Sequence, residues 1–582
     1  MSGIMLPQLG EGRTQREMIS VFRGLNQTQM PMPDEWYDMR NMTGAQYPAL
    51  APRGERTMLR RLERPNGLFA RGKLCWVDGT DFYYDGVVRG QVEDSRKQFV
   101  AMGAYVLIWP DKCYYNTETE EYGSLQARRE TEGTVGFTLC RADGSAYEDY
   151  QTGPVAPVGA EDGDLWVNTA VMPNVLQQYS AVRGMWISMP TTYVKITAPG
   201  IGAGFATYDG VTLSGCEEQA LNGDVILYGA SEDMILVVGV LGAAHEQEAP
   251  VSVERTAPDM DYLTECGNRV WGCSSAAHEI YACKLGDPTN WRCYMGVSTD
   301  SYAATIGTAG DFTGACTHLG YVLFFKEDVI HKLYGNKPAN YQIMDVSARG
   351  VQRGSERSLV VVNETLYYKS RGGVCAYGAA LPQDISAALG PGSRRDAVAG
   401  ALGDKYYVSM GGANSEISRH DGTWGLYAYD EAKGIWHRED ETQAVDLVAL
   451  DGTLYCLRAD GWLLTLDGPA GPYGGEEARL EDRVDWMVET GDLGTASPDH
   501  KYISKLQLRL TVAEDALVRI LARYDYGGDF EEVLRINPGR KRSVTVPVIP
   551  RRCDTMRLRL EGYGGVVLHS ICRTTEEGSE MG

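Results

Sequence analysis

The sequence predicts an all-β protein: a six- or seven-bladed β-propeller with an inserted small β domain and a C-terminal β-sandwich. Three observations carry that expectation. From about residue 67 to 466 an apolar half-strand, an Asp-Gly or similar turn and an aromatic-rich strand recur, as in GLFARGKLCWVDGTDFYYDG, FVAMGAYVLIWPDKCYYNT, GACTHLGYVLFFKEDVIHKLYGN, SLVVVNETLYYKSRGGVCAYG and LVALDGTLYCLRADGWLLTLDG. Gly, Asn and Asp tolerate the positive φ that tight hairpins need, so these are hairpin signals. Their return every ~20–50 residues means an array of small sheets, and a ring of small sheets is a propeller. Helix is nearly absent, the best candidate being the one or two turns of QDISAALG, and 68 glycines against 24 prolines suit a turn-dense β chain.

The elements follow in order. Residues 1–60 read as an N-terminal extended arm, because prolines at 31, 33, 48 and 52 forbid a long helix. The propeller is expected over 61–130 and 251–470, with array units near 67–86, 97–116, 262–294, 313–336, 356–378, 396–438 and 445–467. Residues 131–250 interrupt it: a polar, Pro/Gly-rich start (YQTGPVAPVGAEDGDLWVN) gives way to two or three hairpins, the pattern of an inserted β module. After the linker GPAGPYGGEEARLED, residues 480–575 alternate with period 2 in KLQLRLTV, LVRILARYDY, SVTVPVIP, TMRLRLEG and VVLHSI, the pattern of a β-sandwich.

Composition bounds the rest. A chain of 582 residues exceeds one core, so roughly two to four domains are expected. No run of about 18 apolar residues is present, so no membrane insertion is predicted. The N-terminus lacks a charged segment followed by an apolar one, so synthesis in the cytoplasm is expected. The 13 cysteines are odd in number and scattered, which argues for buried thiols rather than a disulfide framework. A net charge of −23 argues against holding nucleic acid by phosphate neutralisation, though not against letting DNA pass.

Several segments carry the letters of chemical sites, yet each reads more simply as structure. The heptapeptide SRHDGTW, Ser418 to Trp424, has the letters of a sialidase Asp-box, but Asp421 and Gly422 are adjacent and it occurs once; it reads as a turn before a buried Trp. Cys266, Cys273, Cys283 and Cys293 are spaced 7, 10 and 10 residues apart, too widely for the paired ligands of a structural zinc site. The acidic groups Asp259/Asp261 and Glu439/Asp440/Glu441 read as solvated surface, and the EDGD loop at 161–164 fills too few positions of a calcium loop. The aromatic runs FYYDG, CYYNT, LYYKS and KYYVS read as core and inter-blade packing. No residue emerges as catalytic, cofactor-binding or metal-binding, and the chain is expected not to be an enzyme.

With those features in view, the chain resembles tailed-bacteriophage β-propeller virion proteins of phages or prophages of Gram-positive gut bacteria. The arm FRGLNQTQMPMPDEWYDMRNM followed by YPALAPRG looks like the start shared by such proteins. GDLWVNTAVMPNVLQQYSAVRGMW is similar to a small module recurring in phage tail and surface proteins, and WGCSSAAHEIYACKLGDPTNW and GDFTGACTHLGYVLFFKEDVIHKLYGN look like their blades. The resemblance implies a structural component of the virion tail, a hub or nozzle ring around the DNA exit channel. It implies a homo-oligomer, by analogy hexameric, meeting portal, adaptor and tail-fibre proteins and letting phage DNA pass without sequence recognition. No cofactor is expected.

The arm would then cross to a neighbouring subunit and bury Phe22, Leu25, Trp36 and Met39 there. The alternative is a host-receptor or carbohydrate-binding tail-tip protein, using a propeller face and the sandwich as a lectin-like module.

Overall fold

A computed structural model describes residues 14–412, 424–495, 501–525, 527–539, 544–546 and 551–577. Those residues form a β-propeller-like all-β structure without α-helix, broken only by single 3₁₀ turns such as Ala387–Leu389, inside the expected QDISAALG segment. Six four-stranded meanders recur among them, at 65–91, 98–124, 262–305, 314–347, 360–384 and 394–438, and a seventh meander at 444–467 joins a five-stranded sheet with Thr57–Arg61 and Arg479–Leu480.

Local chemistry sets the hairpins. In the seventh meander Leu450 pairs with Thr453 across a two-residue turn, Asp451 and Gly452, with φ of 49° and 76°. Positive φ at both central positions gives the turn the twist of the flanking strands, and Asp-Gly adopts it cheaply. The second strand of each meander is buried along nearly its whole length: Lys73–Asp78, Tyr105–Trp109, Val270–Ser274, Tyr321–Phe325, Thr365–Ser370, Lys405–Gly412 and Thr453–Arg458. A strand covered on both faces needs continuous rather than alternating apolarity, which is why LCWV, VLFF and YYVS read as unbroken runs.

The chain divides into two compact units, one of residues 1–96, 325–330 and 347–582, the other of 97–324 and 331–346. In the first, Val398, Tyr407 and Leu426 of the sixth meander pack on Leu447 and Cys456 of the seventh, and Tyr455 and Leu463 of the seventh pack on Leu68 and Trp76 of the first. The seventh meander supplies only three of its own strands; the fourth, Thr57–Arg61, comes from the N-terminal region and lies antiparallel beside Trp462–Asp467. Rings from successive meanders also meet, as where Tyr367 stacks on Tyr406 with centroids 5.2 Å apart.

The same unit holds two C-terminal sheets, and the N-terminal region enters both. Thr14–Ile19 forms an edge strand beside Val566–Glu577, which pairs in turn with Lys501–Val512. Trp36–Arg40 forms an edge strand beside Asp485–Thr490, followed by Met556–Tyr563, Leu517–Tyr524 and Glu531–Ile536. Leu508, Leu510, Ile520, Leu558 and Ile571 belong to one buried cluster with Phe22, Leu25, Trp36 and Met39.

In the second unit, residues 127–255 lie in sequence between the second and third meanders. They build three sheets around a core that includes Phe137, Val167, Ile196, Val211 and Val237. The chain enters and leaves this region on paired strands, Ala127 opposite Arg255.

Candidate functional site

Residues 22–56 thread through the first unit and meet the sixth meander, the C-terminal sheets and the linker before them. Phe22, Leu25, Trp36 and Met39 are 3%, 2%, 2% and 0% exposed. Within a single copy of the chain all four are buried in the core next to the C-terminal sheets; the sequence led us to expect them at an exchange with a neighbouring subunit. Phe22 and Trp36 have ring centroids 5.6 Å apart. The Leu25 N–H donates to the Trp436 carbonyl at 2.6 Å, and Trp36 N–H to the Gly24 carbonyl at 2.9 Å. Gly24 has φ +78°, and a Cβ there would lie 2.4 Å from the Trp436 oxygen, so the close approach requires glycine.

Next to this core lies a buried ionic network. Arg56 Nη2 donates to Glu439 Oε2 and Nη1 to Asp440 Oδ2, each at 2.6 Å. Arg53 forks onto the Glu481 carboxylate at 2.7 and 2.9 Å, and its Nε donates to Asn41 Oδ1 at 2.9 Å. Burial pushes the Glu439 carboxyl above its ordinary value despite Arg56. Burial opposes ionisation of Asp440 too, but Arg56, bonds from Thr442, and Arg53 outweigh it and hold that carboxyl down to about 2. Glu439 and Asp440 are thus not solvated surface, as the sequence suggested, but the inner half of a charge cluster. Their partners lie near residue 56, so no local pattern marked them. Glu441 does reach solvent, where it accepts from Arg438 at 3.0 Å.

The remaining sequence candidates scatter. Cys273, Cys283 and Cys293 are buried and Cys266 half-buried, and all are free thiols. Among the described residues no group of three or more His, Cys, Asp or Glu is placed to hold a metal ion. Asp261 Oδ2 accepts from the Ser275 N–H at 2.7 Å, while Asp259 is an exposed partner of Lys112. Within EDGD, Asp164 accepts from the Glu161 N–H at 2.8 Å and Asp162 from the Ala181 N–H at 2.7 Å, so these carboxylates close turns. Ser418, Asp421 and Gly422 of the Asp-box-like segment lie outside the described residues. A cleft of about 560 Å³ is lined by Arg60, Arg61, Glu63, Asp460, Glu476 and Glu477, a mixed-charge wall. No helix among the described residues is long and apolar enough to cross a membrane.

No protein-family model matches the chain, and no curated protein matches its sequence. Solved structures do match. The computationally designed Ika8 protein has a TM-score of 0.31 and 10% identity, covering 70% of this chain and 99% of its own. The endosialidase of phage phi92 has a TM-score of 0.24 and 9% identity, covering 72% of this chain and 70% of its own. The exo-β-1,3-galactanase of Phanerochaete chrysosporium has a TM-score of 0.20 and 9% identity, covering 54% of this chain and 95% of its own. At these scores none carries an argument about what this chain does. The galactanase does correct one expectation: glycoside hydrolases are among the β-propeller structures that match, so the sequence-based exclusion of an enzyme does not stand.

Proposed function

We propose that the chain is a structural component of a bacteriophage tail, a hub or nozzle ring around the DNA exit channel. In this reading the meanders are the blades of a six- or seven-bladed propeller, residues 127–255 an inserted module and the C-terminal sheets a sandwich. The observation that carries it is the path of the N-terminal region. One segment gives an edge strand to each C-terminal sheet and then the strand next to Trp462–Asp467 in the seventh meander, so it ties sandwich and blades together. Such stitching resists local opening, which suits a part that bears load, and the buried Arg56 cluster pins its middle. The phage assignment itself rests on the resemblance of the arm, the GDLWVN module and the blades.

Copies of the chain assemble as a homo-oligomer, by analogy hexameric, and dock portal or adaptor proteins on one side and fibres on the other. A net charge of −23 repels phosphate and lets DNA slide past without sequence recognition. Gold-labelled antibody on purified virions tests the reading. Label at the collar or tail axis supports it; label confined to the far tip moves the chain to receptor binding, and no label on virions removes it from the tail.

A further inference from the structure

The small sheet of the inserted region, strands Tyr150–Gly153, Leu165–Asn168, Val175–Ser180 and Met185–Ser188, has two unlike faces. Side chains alternate across a strand, and the registers place Tyr150, Leu165, Val167 and Leu176 on one face, against the core of the inserted region. The other face carries Gln151, Trp166, Asn168, Gln177, Tyr179, Trp186 and Ser188.

That outer face has a particular chemistry. Trp186 sits between Trp166 and Tyr179, with ring centroids 5.5 and 5.4 Å away. Trp166 is the foundation: it is 5% exposed and its indole N–H donates to the Gly153 carbonyl at 3.0 Å. Trp186 and Tyr179 are half-buried. Among the described residues nothing accepts from the Trp186 indole N–H or the Tyr179 hydroxyl, and the exposed Gln151 amide has no partner. Gln177 donates to Ser188 Oγ at 3.2 Å, which leaves its carbonyl oxygen free. No strand residue on this face is charged, in a chain with 78 acidic and 55 basic residues, and the Asp164 carboxylate at its border is engaged by the Glu161 N–H.

We propose that this face binds a neutral glycan chain. Sugars present C–H-rich faces that lie on aromatic rings and hydroxyls that pair with N–H, O–H and amide groups, and the face offers both side by side. Its lack of charge on an acidic protein matches a neutral sugar better than a polyanion, which the surroundings repel. The site is independent of where the chain sits in a virion.

Native electrophoresis of the full chain through gels holding soluble β-glucan, α-glucan, mannan, galactan or xyloglucan tests it, with alginate as the anionic control. Retardation by at least one neutral polysaccharide and not by alginate is expected. Trp186→Ala should weaken it about tenfold or more, and Gln151→Ala, at an exposed position that leaves the fold intact, should weaken it measurably. Unretarded migration in every neutral gel overturns the proposal, as does retardation that both variants leave unchanged. If retardation is absent and Trp186→Ala instead alters the mass in solution by light scattering, the face is a subunit interface and the glycan assignment fails.

Discussion

Arg56 and Glu439 lie 383 positions apart in the chain and meet at 2.6 Å, Nη2 to Oε2, with side chains 3% and 7% exposed. Together with Asp440 on Nη1 they fasten the segment before the first meander to the end of the sixth. Removing one member strands the other charges without solvent. Arg56→Met should therefore cost about 3–5 kcal/mol. Urea unfolding checks this, and a loss below about 0.5 kcal/mol, the range of an ordinary surface change, would refute a structural role for the cluster.

Trp36→Ala is expected to act on folding rather than on association. The indole fills the core shared with Val488, Leu558 and Leu568, and its removal should cost about 3–5 kcal/mol. Limited proteolysis should then cut residues 485–577 faster, whereas an unchanged digest with a shifted oligomer distribution would restore the arm-exchange idea.

Gly24→Ala tests the close approach to Trp436. The new methyl would fall 2.4 Å from the Trp436 oxygen at a φ of +78°. A loss of about 1–3 kcal/mol is expected from strain and the broken Leu25–Trp436 bond. Thermal unfolding at neutral pH reads it, and a neutral result would show that the arm is not held where the structure has it.

His437 sets a pH dependence. Its Nε2 is buried without a partner, and Gly44 lies so near that a Cβ there would be 2.9 Å from the ring. Burial, then Lys405 and Lys433 against Asp430, lowers its pKa to about 4. A depressed histidine binds its proton more readily when unfolded, so the stability it permits is complete above about 6.5 and is lost as pH falls through about 4. The full loss is roughly 3 kcal/mol. His437→Asn should flatten this part of the stability profile between pH 7 and 4; the same fall in variant and parent would assign it to other groups.

Local chemistry made the meanders legible. Asp451-Gly452 and the run LYCL announce a turn and a doubly covered strand within ten residues, and the strands there are Ala444–Leu450 and Thr453–Arg458. The N-terminal region gave no such signal. Thr14–Ile19 and Trp36–Arg40 are short edge strands whose partners, near residues 571–576 and 487–490, lie at the other end of the chain. Glu439 failed for the same reason: nothing in REDE shows that Arg56 waits for it. The outer face around Trp186 was half legible, since GDLWVN and GMW stood out, but only the register puts Trp166, Tyr179 and Trp186 together.

We propose that the N-terminal region completes its own chain's seventh meander inside a tail assembly. A cryo-EM reconstruction of the phage tail that resolves strands tests this most directly. It should show copies of the chain around the tail axis, with Thr57–Arg61 beside Trp462–Asp467 of the same copy. Density that passes Thr57–Arg61 to a neighbouring copy, or a tail without this chain, would contradict it.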